Sequence, residues 1–290
     1  MTHFPVTDSH LHFWDDKNLS YPWLSSMPLL NSSYGLSDLH EATKSLHLES
    51  FVFVQSGCDE AQSLAEVEWV SNLAKRDARI HGIIAHAPLE SGEDVRPYLE
   101  ALKKNNRVKG VRRLLVSEKD DFCLQEKFMQ GVKLLAEYGF SFDICMTAKQ
   151  LPAAIRLATE CSQVKFILEH LGIPDMTDAA LDVWKKQISQ LAALPNVWCK
   201  ISRVVTEDMQ NWSSDELKPY IYHAVNEFGY DRVMFGSDWP VVNIASSYSH
   251  WVHILHDLLV HHKASEDDLK KVFYANAKKC YELQGVTIEI

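Results

Sequence analysis

The sequence has no CxxC pair, no excess of basic residues and no long apolar run. Each lack excludes a class of protein. The six cysteines, at 58, 123, 145, 161, 199 and 280, mostly sit inside apolar runs such as SFDICM and NVWCKIS. They read as free, buried thiols in a reducing compartment. Lysine and arginine total 29 against 39 acids, a formal net charge of −10. That balance lacks the basic footprint that nucleic acid or an anionic membrane attracts, so neither partner is expected. No stretch approaches the roughly 18 apolar residues of a membrane-spanning helix. The opening MTHFPVTDSHLHFWDD carries acids and histidines where a signal peptide is apolar. The expectation is a soluble, cytoplasmic protein. Repeats, low-complexity tracts and linkers are also missing, so residues 1–290 are read as one domain.

What is present is a regular alternation. Eight short apolar runs recur, at 4–12, 50–55, 79–87, 107–115, 139–146, 164–170, 196–202 and 231–240. Most are followed by an amphipathic stretch; SLAEVEWVSNLAKR, for example, has apolar residues at 64, 67, 70 and 73, the helical spacing. Strands alternating with helices predict a parallel sheet, and eight of them predict an α/β fold of the closed (β/α)8 TIM-barrel type. A doubly wound open sheet is the alternative. It calls for a glycine-rich phosphate turn after the first strand, where this chain has HFWDDKNLSYPWL.

In a barrel, chemistry gathers at the C-terminal ends of the strands. Strand 1 ends in Asp8-Ser9-His10-Leu11-His12. Alternation puts residues 8, 10 and 12 on one face, and two imidazoles two apart form a metal pincer. A chance HxH is the competing explanation in a chain with 14 histidines. Asp238, after Gly236 in FGSDWP, ends strand 8, which closes beside strand 1; a turn or helix-capping aspartate is the alternative. His170 ends strand 6 in LEHLGIP. On strand 4, Arg112 shares the face of Val108 and Gly110 and is assigned inward, with Arg113 as second choice. Asp143 on strand 5 and Lys200 on strand 7 are weaker candidates for substrate contact. Tyr21 and Trp23, in the long loop after strand 1, are candidates for a wall over the pocket or for plain loop packing.

DSHLHFWD with YPWL, then EHLGIP, VWCKIS, RVMFGSDWP and the late FYANAKKCYEL, in this order, resemble the amidohydrolase superfamily. Within it they resemble the amidohydrolase 2 branch and its lactonase-like group, which includes enzymes acting on L-fuconolactone, L-rhamnonolactone and 2-pyrone-4,6-dicarboxylate. The resemblance spans nearly the whole chain and implies a (β/α)8 barrel. By position, His10 and His12 match the strand-1 pair, His170 the strand-6 histidine, Asp238 the strand-8 aspartate and Arg112 the arginine of a GVR pattern. The chain departs from the branch's decarboxylases at the end of strand 5, where it has Asp143 and Cys145 and no histidine. The resemblance thus implies at most one divalent metal ion, zinc first, on His10, His12 and Asp238, or metal-independent chemistry.

The implied activity is hydrolysis of a small-molecule sugar (aldono-) lactone. In this reading Asp238 is expected to act as general base, Arg112, with His10, His12 or a bound metal, to stabilise developing charge, and His170 to position water or substrate. A lactone isomerase or a metal-dependent decarboxylase on the same barrel is the alternative. A homo-oligomer is compatible with the sequence, which sets no oligomeric state.

Overall fold

A computed structural model describes residues 5–202 and 212–283. Phe4, which opens the first expected strand, lies outside the described residues. Eight strands are present: β1 (Val6–Leu11), β2 (Leu48–Val54), β3 (Ile80–Ala85), β4 (Val108–Leu114), β5 (Ser141–Cys145), β6 (Phe166–Leu168), β7 (Val197–Ile201) and β8 (Val233–Phe235). They form one sheet in chain order, every neighbouring pair parallel. An α-helix follows each strand, from Leu36–Thr43 to Tyr248–His261, and two short ones, Glu266–Lys270 and Asn276–Cys280, come after the last. This is the (β/α)8 barrel expected from the alternation. Among the described residues no helix is long and apolar enough to cross a membrane.

The ends of β1 and β8 close the barrel and position the chemistry. Asp238 N donates to His10 O at 2.8 Å, and His12 N donates to Trp239 O at 2.7 Å. Gly236 makes this approach possible: a Cβ there would stand 2.8 Å from His10 Cβ and 3.1 Å from Ser202 Cβ. Asp8 locks the same corner, accepting from Ser237 N at 3.0 Å and from the Tyr248 hydroxyl at 2.9 Å.

β6 and β8 are only three residues long, shorter than their apolar runs suggest. The backbone leaves strand geometry to aim side chains at the mouth. His170, Leu171 and Asp238 adopt left-handed φ values of 55°, 55° and 56°. Such conformations cost about 1–3 kcal/mol each for non-glycine residues and concentrate at functional sites.

The opposite end of the barrel is plugged by the chain's last described turns. Ala277, Cys280, Tyr281 and Leu283 pack against Val52, Ile84, Ile167 and Met234 of the barrel interior. Asn276 fixes this plug by donating to the carbonyls of Tyr230 and Val233, both at 2.7 Å.

Candidate active site

The inward side chains of β1 and the turn after β8 meet in a tight triangle. His10 Nε2 and His12 Nε2 are 3.0 Å apart. Asp238 Oδ1 is 3.3 Å from the first and 3.1 Å from the second. His12 Nδ1 lies 2.7 Å from Val54 O. A carbonyl only accepts, so Nδ1 carries the proton and Nε2 presents its lone pair to the triangle. His170 stands alongside, its ring centroid 4.7 Å from that of His10, and its Nδ1 lies 2.8 Å from Ser202 Oγ.

Burial and neighbouring charge set the protonation of this group. Burial works against an ionised Asp238, but the His170 charge and the close imidazoles of His10 and His12 overcome it. Its carboxyl is held well below the usual aspartate range. Burial pushes the His12 imidazole down to about 4, more than the adjacent Asp238 carboxylate raises it. At neutral pH the site therefore contains an ionised carboxylate and a neutral His12.

Beneath the triangle lies a buried ionic network. Glu169 accepts from Arg112 Nη1 at 3.0 Å and stands 3.2 Å from His10 Nδ1. Lys200 donates to Asp143 Oδ2 at 2.7 Å and lies 3.4 Å from Glu169 Oε1. The Tyr281 hydroxyl, from the plug at the far end, donates to Asp143 at 2.5 Å. Burial opposes ionisation of Glu169, yet His10, Arg112 and Lys200 hold its carboxyl well below the ordinary value. Arg112 also donates to Gln55 O, and its Nε has no acceptor among the described residues.

A cavity of about 620 Å³ opens above this floor. Trp14, Pro22, Trp23, Met27, Leu30 and Val241 form an apolar wall, with His12, Arg112, His170 and Asp238 on the polar side. His10 is fully buried below. Four residues expected at the pocket do not line it. Arg113 points outward to Glu90 and Glu118, both at 2.8 Å, as the strand's alternation requires once Arg112 faces in. Tyr21 is folded under its loop with its hydroxyl 3.3 Å from Glu66. Asp143 and Lys200 do face inward, but they pair with one another a layer below the cavity. Glu169 and Tyr281 were not singled out from the sequence. Glu169 had one available signal, an acid directly after the apolar run of strand 6.

Residues 7–283 match the family model described as Amidohydrolase. The chain belongs to the amidohydrolase family. Among curated relatives, an L-fucono-1,5-lactonase of Burkholderia multivorans is 30% identical, over 95% of each chain. An L-rhamnono-gamma-lactonase of Scheffersomyces stipitis is 23% identical over 98% of this chain and all of that one. A crystal structure of a Burkholderia multivorans amidohydrolase with bound zinc superposes with a TM-score of 0.86 at 26% identity, covering 97% of this chain and 100% of the other.

The amidohydrolase triangle fits a metal ion on its own geometry. Nitrogen and oxygen ligands stand about 2.0–2.2 Å from zinc, so ligands sharing one ion sit roughly 3 Å apart, as these three donors do. Two imidazoles and a carboxylate suit a divalent transition ion. The ligand atoms of His10, His170 and Asp238 also lie within 4.8 Å of one another, which makes His170 a further donor at the same place.

Glu66 supports the pocket wall from behind. It accepts from Ser56 N at 3.1 Å and from the Tyr21 hydroxyl, while Ser56 O accepts from Trp23 Nε1 at 2.8 Å. Burial raises its carboxyl from 4.5 to about 7, the hydrogen bonds from Ser56 and Tyr21 only partly offsetting this. The folded protein thus keeps a proton that the unfolded chain releases between these values. Stability is fully present below about pH 4.5, falls as pH rises towards 7, and levels off above it, a loss of about 3 kcal/mol. Replacing Glu66 with Gln is expected to flatten this slope, read as the difference in Tm between pH 5 and pH 8. An unchanged slope places the titrating group elsewhere.

Proposed function

We propose that this amidohydrolase hydrolyses the ring ester of an uncharged sugar lactone. The observation that carries the reading is Asp238, a buried carboxylate held ionised on the polar side of the cavity. Asp238 takes a proton from the attacking water, which adds to the lactone carbonyl carbon. It then returns the proton to the ring oxygen as the carbon–oxygen bond breaks. Arg112, which lines the cavity, donates to the developing oxyanion. His170 orients water or substrate. The relatives named as lactonases support this chemistry.

The charge of the cavity favours a neutral substrate. Asp59, Glu60 and Asp238 line it together with one guanidinium, Arg112, which already pairs with Glu169. A substrate bearing extra carboxylates meets more repulsion than attraction among these residues. The apolar wall around Trp14 and Trp23 suits the carbon face of a sugar ring. Decarboxylation is disfavoured because β5 carries Asp143 and Cys145 and no histidine. Product analysis separates the readings: hydrolysis yields one acid equivalent per lactone, isomerisation none, and decarboxylation carbon dioxide.

A divalent ion, zinc first, would be held by His10, His12 and Asp238 and would supply Lewis acidity toward the carbonyl. Elemental analysis of protein purified without added metal is expected to give no more than about one equivalent. Two tightly held equivalents contradict this site.

A further inference from the structure

His10 Nδ1 lies between a buried cation and a buried anion. Lys200 Nζ is 3.2 Å from it and Glu169 Oε1 is also 3.2 Å from it. All three residues are fully buried. Across the ring, His10 Nε2 faces His12 Nε2 at 3.0 Å and Asp238 Oδ1 at 3.3 Å. A neutral imidazole carries one proton, on one nitrogen or the other.

The neighbours determine which nitrogen. His12 spends its Nδ1 proton on Val54 O, so a neutral His12 offers only a lone pair to the triangle. An ionised Asp238 likewise only accepts. With no cation among them, the three atoms repel unless His10 supplies a proton from Nε2. His10 Nδ1 is then bare, and Lys200 can donate to it. A cation in the triangle reverses the requirement, because it needs the Nε2 lone pair. The His10 proton then sits on Nδ1, where Glu169 Oε1 accepts it. Lys200 keeps Asp143 Oδ2 at 2.7 Å as its acceptor in either state.

We propose that Lys200 and Glu169 are opposed positioning residues that set the His10 tautomer, Lys200 favouring the metal-free form and Glu169 the metal-binding form. The inference rests on the triangle as a metal site and is independent of the lactone reading. It predicts that two charges in one network, neither of them a ligand, shift metal affinity in opposite directions. Removing a hydrogen-bond partner of a ligating histidine typically costs 10–100-fold in metal affinity. Removing a group that holds the incompetent form instead raises apparent affinity, by the inverse of the competent fraction.

The test has two arms. In the first, long-range ¹⁵N–¹H NMR of the histidine rings is recorded on metal-free protein, with His10 assigned by its loss in His10→Asn. The wild type is expected to carry the His10 proton on Nε2, and Lys200→Met to move it to Nδ1. In the second, zinc affinity is measured by competition with a chromophoric chelator. Glu169→Gln should bind zinc about 10–100-fold more weakly, and Lys200→Met about tenfold more tightly. Should Lys200→Met fail to fold, Lys200→Met/Asp143→Asn removes the buried pair together and carries the same expectations. A proton on His10 Nδ1 in the metal-free wild type, alone or together with one on Nε2, overturns the proposal, as do zinc affinities that shift in the same direction. A protein that takes up no zinc removes the metal site itself, and the NMR arm still decides the tautomer.

Discussion

Asp238→Asn is expected to stay folded and to lose about 10²–10⁴ in the rate of lactone opening. The substitution preserves shape but removes the only property a base needs, a lone pair of sufficient basicity. The circular dichroism spectrum should be unchanged, because Asp238 N, which donates to His10 O, is untouched. The pH profile carries a second expectation. Asp238 is held well below the usual aspartate value, so it stays ionised down to that value and loses its charge only as pH falls further still. Wild-type kcat/KM should therefore show no acid limb from Asp238 between pH 5 and 8, with the limb appearing only at lower pH. In Asp238→Asn that limb should vanish. A folded variant within about tenfold of wild type takes Asp238 out of the mechanism and leaves His170, in its neutral form, as the better candidate for the base.

Arg112→Met should cost about 10²–10³ in turnover, the usual effect of losing one preorganised donor to developing negative charge. The geometry supplies a control on the adjacent residue. Arg113 faces outward and pairs with Glu90 and Glu118 away from the cavity. Arg113→Met should therefore leave kcat/KM nearly unchanged. Removing Arg112 also leaves Glu169 short of one buried partner, so some loss of stability accompanies the loss of rate. Thermal melts of both variants separate the two effects. A crippled Arg113→Met beside a mild Arg112→Met reverses the assignment of faces on β4.

The barrel was legible because its signals are local and repeated eight times. Alternation within β4 put Arg112 on the inner face, and Gly236 flagged the close approach that joins β8 to β1. Depth along the barrel axis was not legible. Asp143 and Lys200 have the right parity to face inward, but the stagger of neighbouring strands decides whether such a residue reaches the mouth or the layer beneath. Both lie in the lower layer, 2.7 Å apart. Glu169 escaped for a different reason: strict alternation sends it and His170 to opposite faces. The strand ends at Leu168, and the left-handed turn that follows brings both side chains into the site. Tyr281 could not be found at all, since it reaches Asp143 from a segment 138 residues away in sequence. Tyr21 and Trp23 lie two apart in one loop, yet one is tucked behind the wall and the other forms it, a choice set by Glu66 and Ser56.

The most direct test of the account is a pH-indicator assay of the purified protein on a panel of lactones, with and without chelator. The panel spans neutral sugar lactones, such as L-fucono-1,5-lactone and L-rhamnono-γ-lactone, and anionic ones, such as 2-pyrone-4,6-dicarboxylate. The account predicts that neutral sugar lactones are opened with one acid equivalent each and with the highest kcat/KM. No turnover of any neutral lactone, or a clear preference for the dicarboxylate, would contradict it.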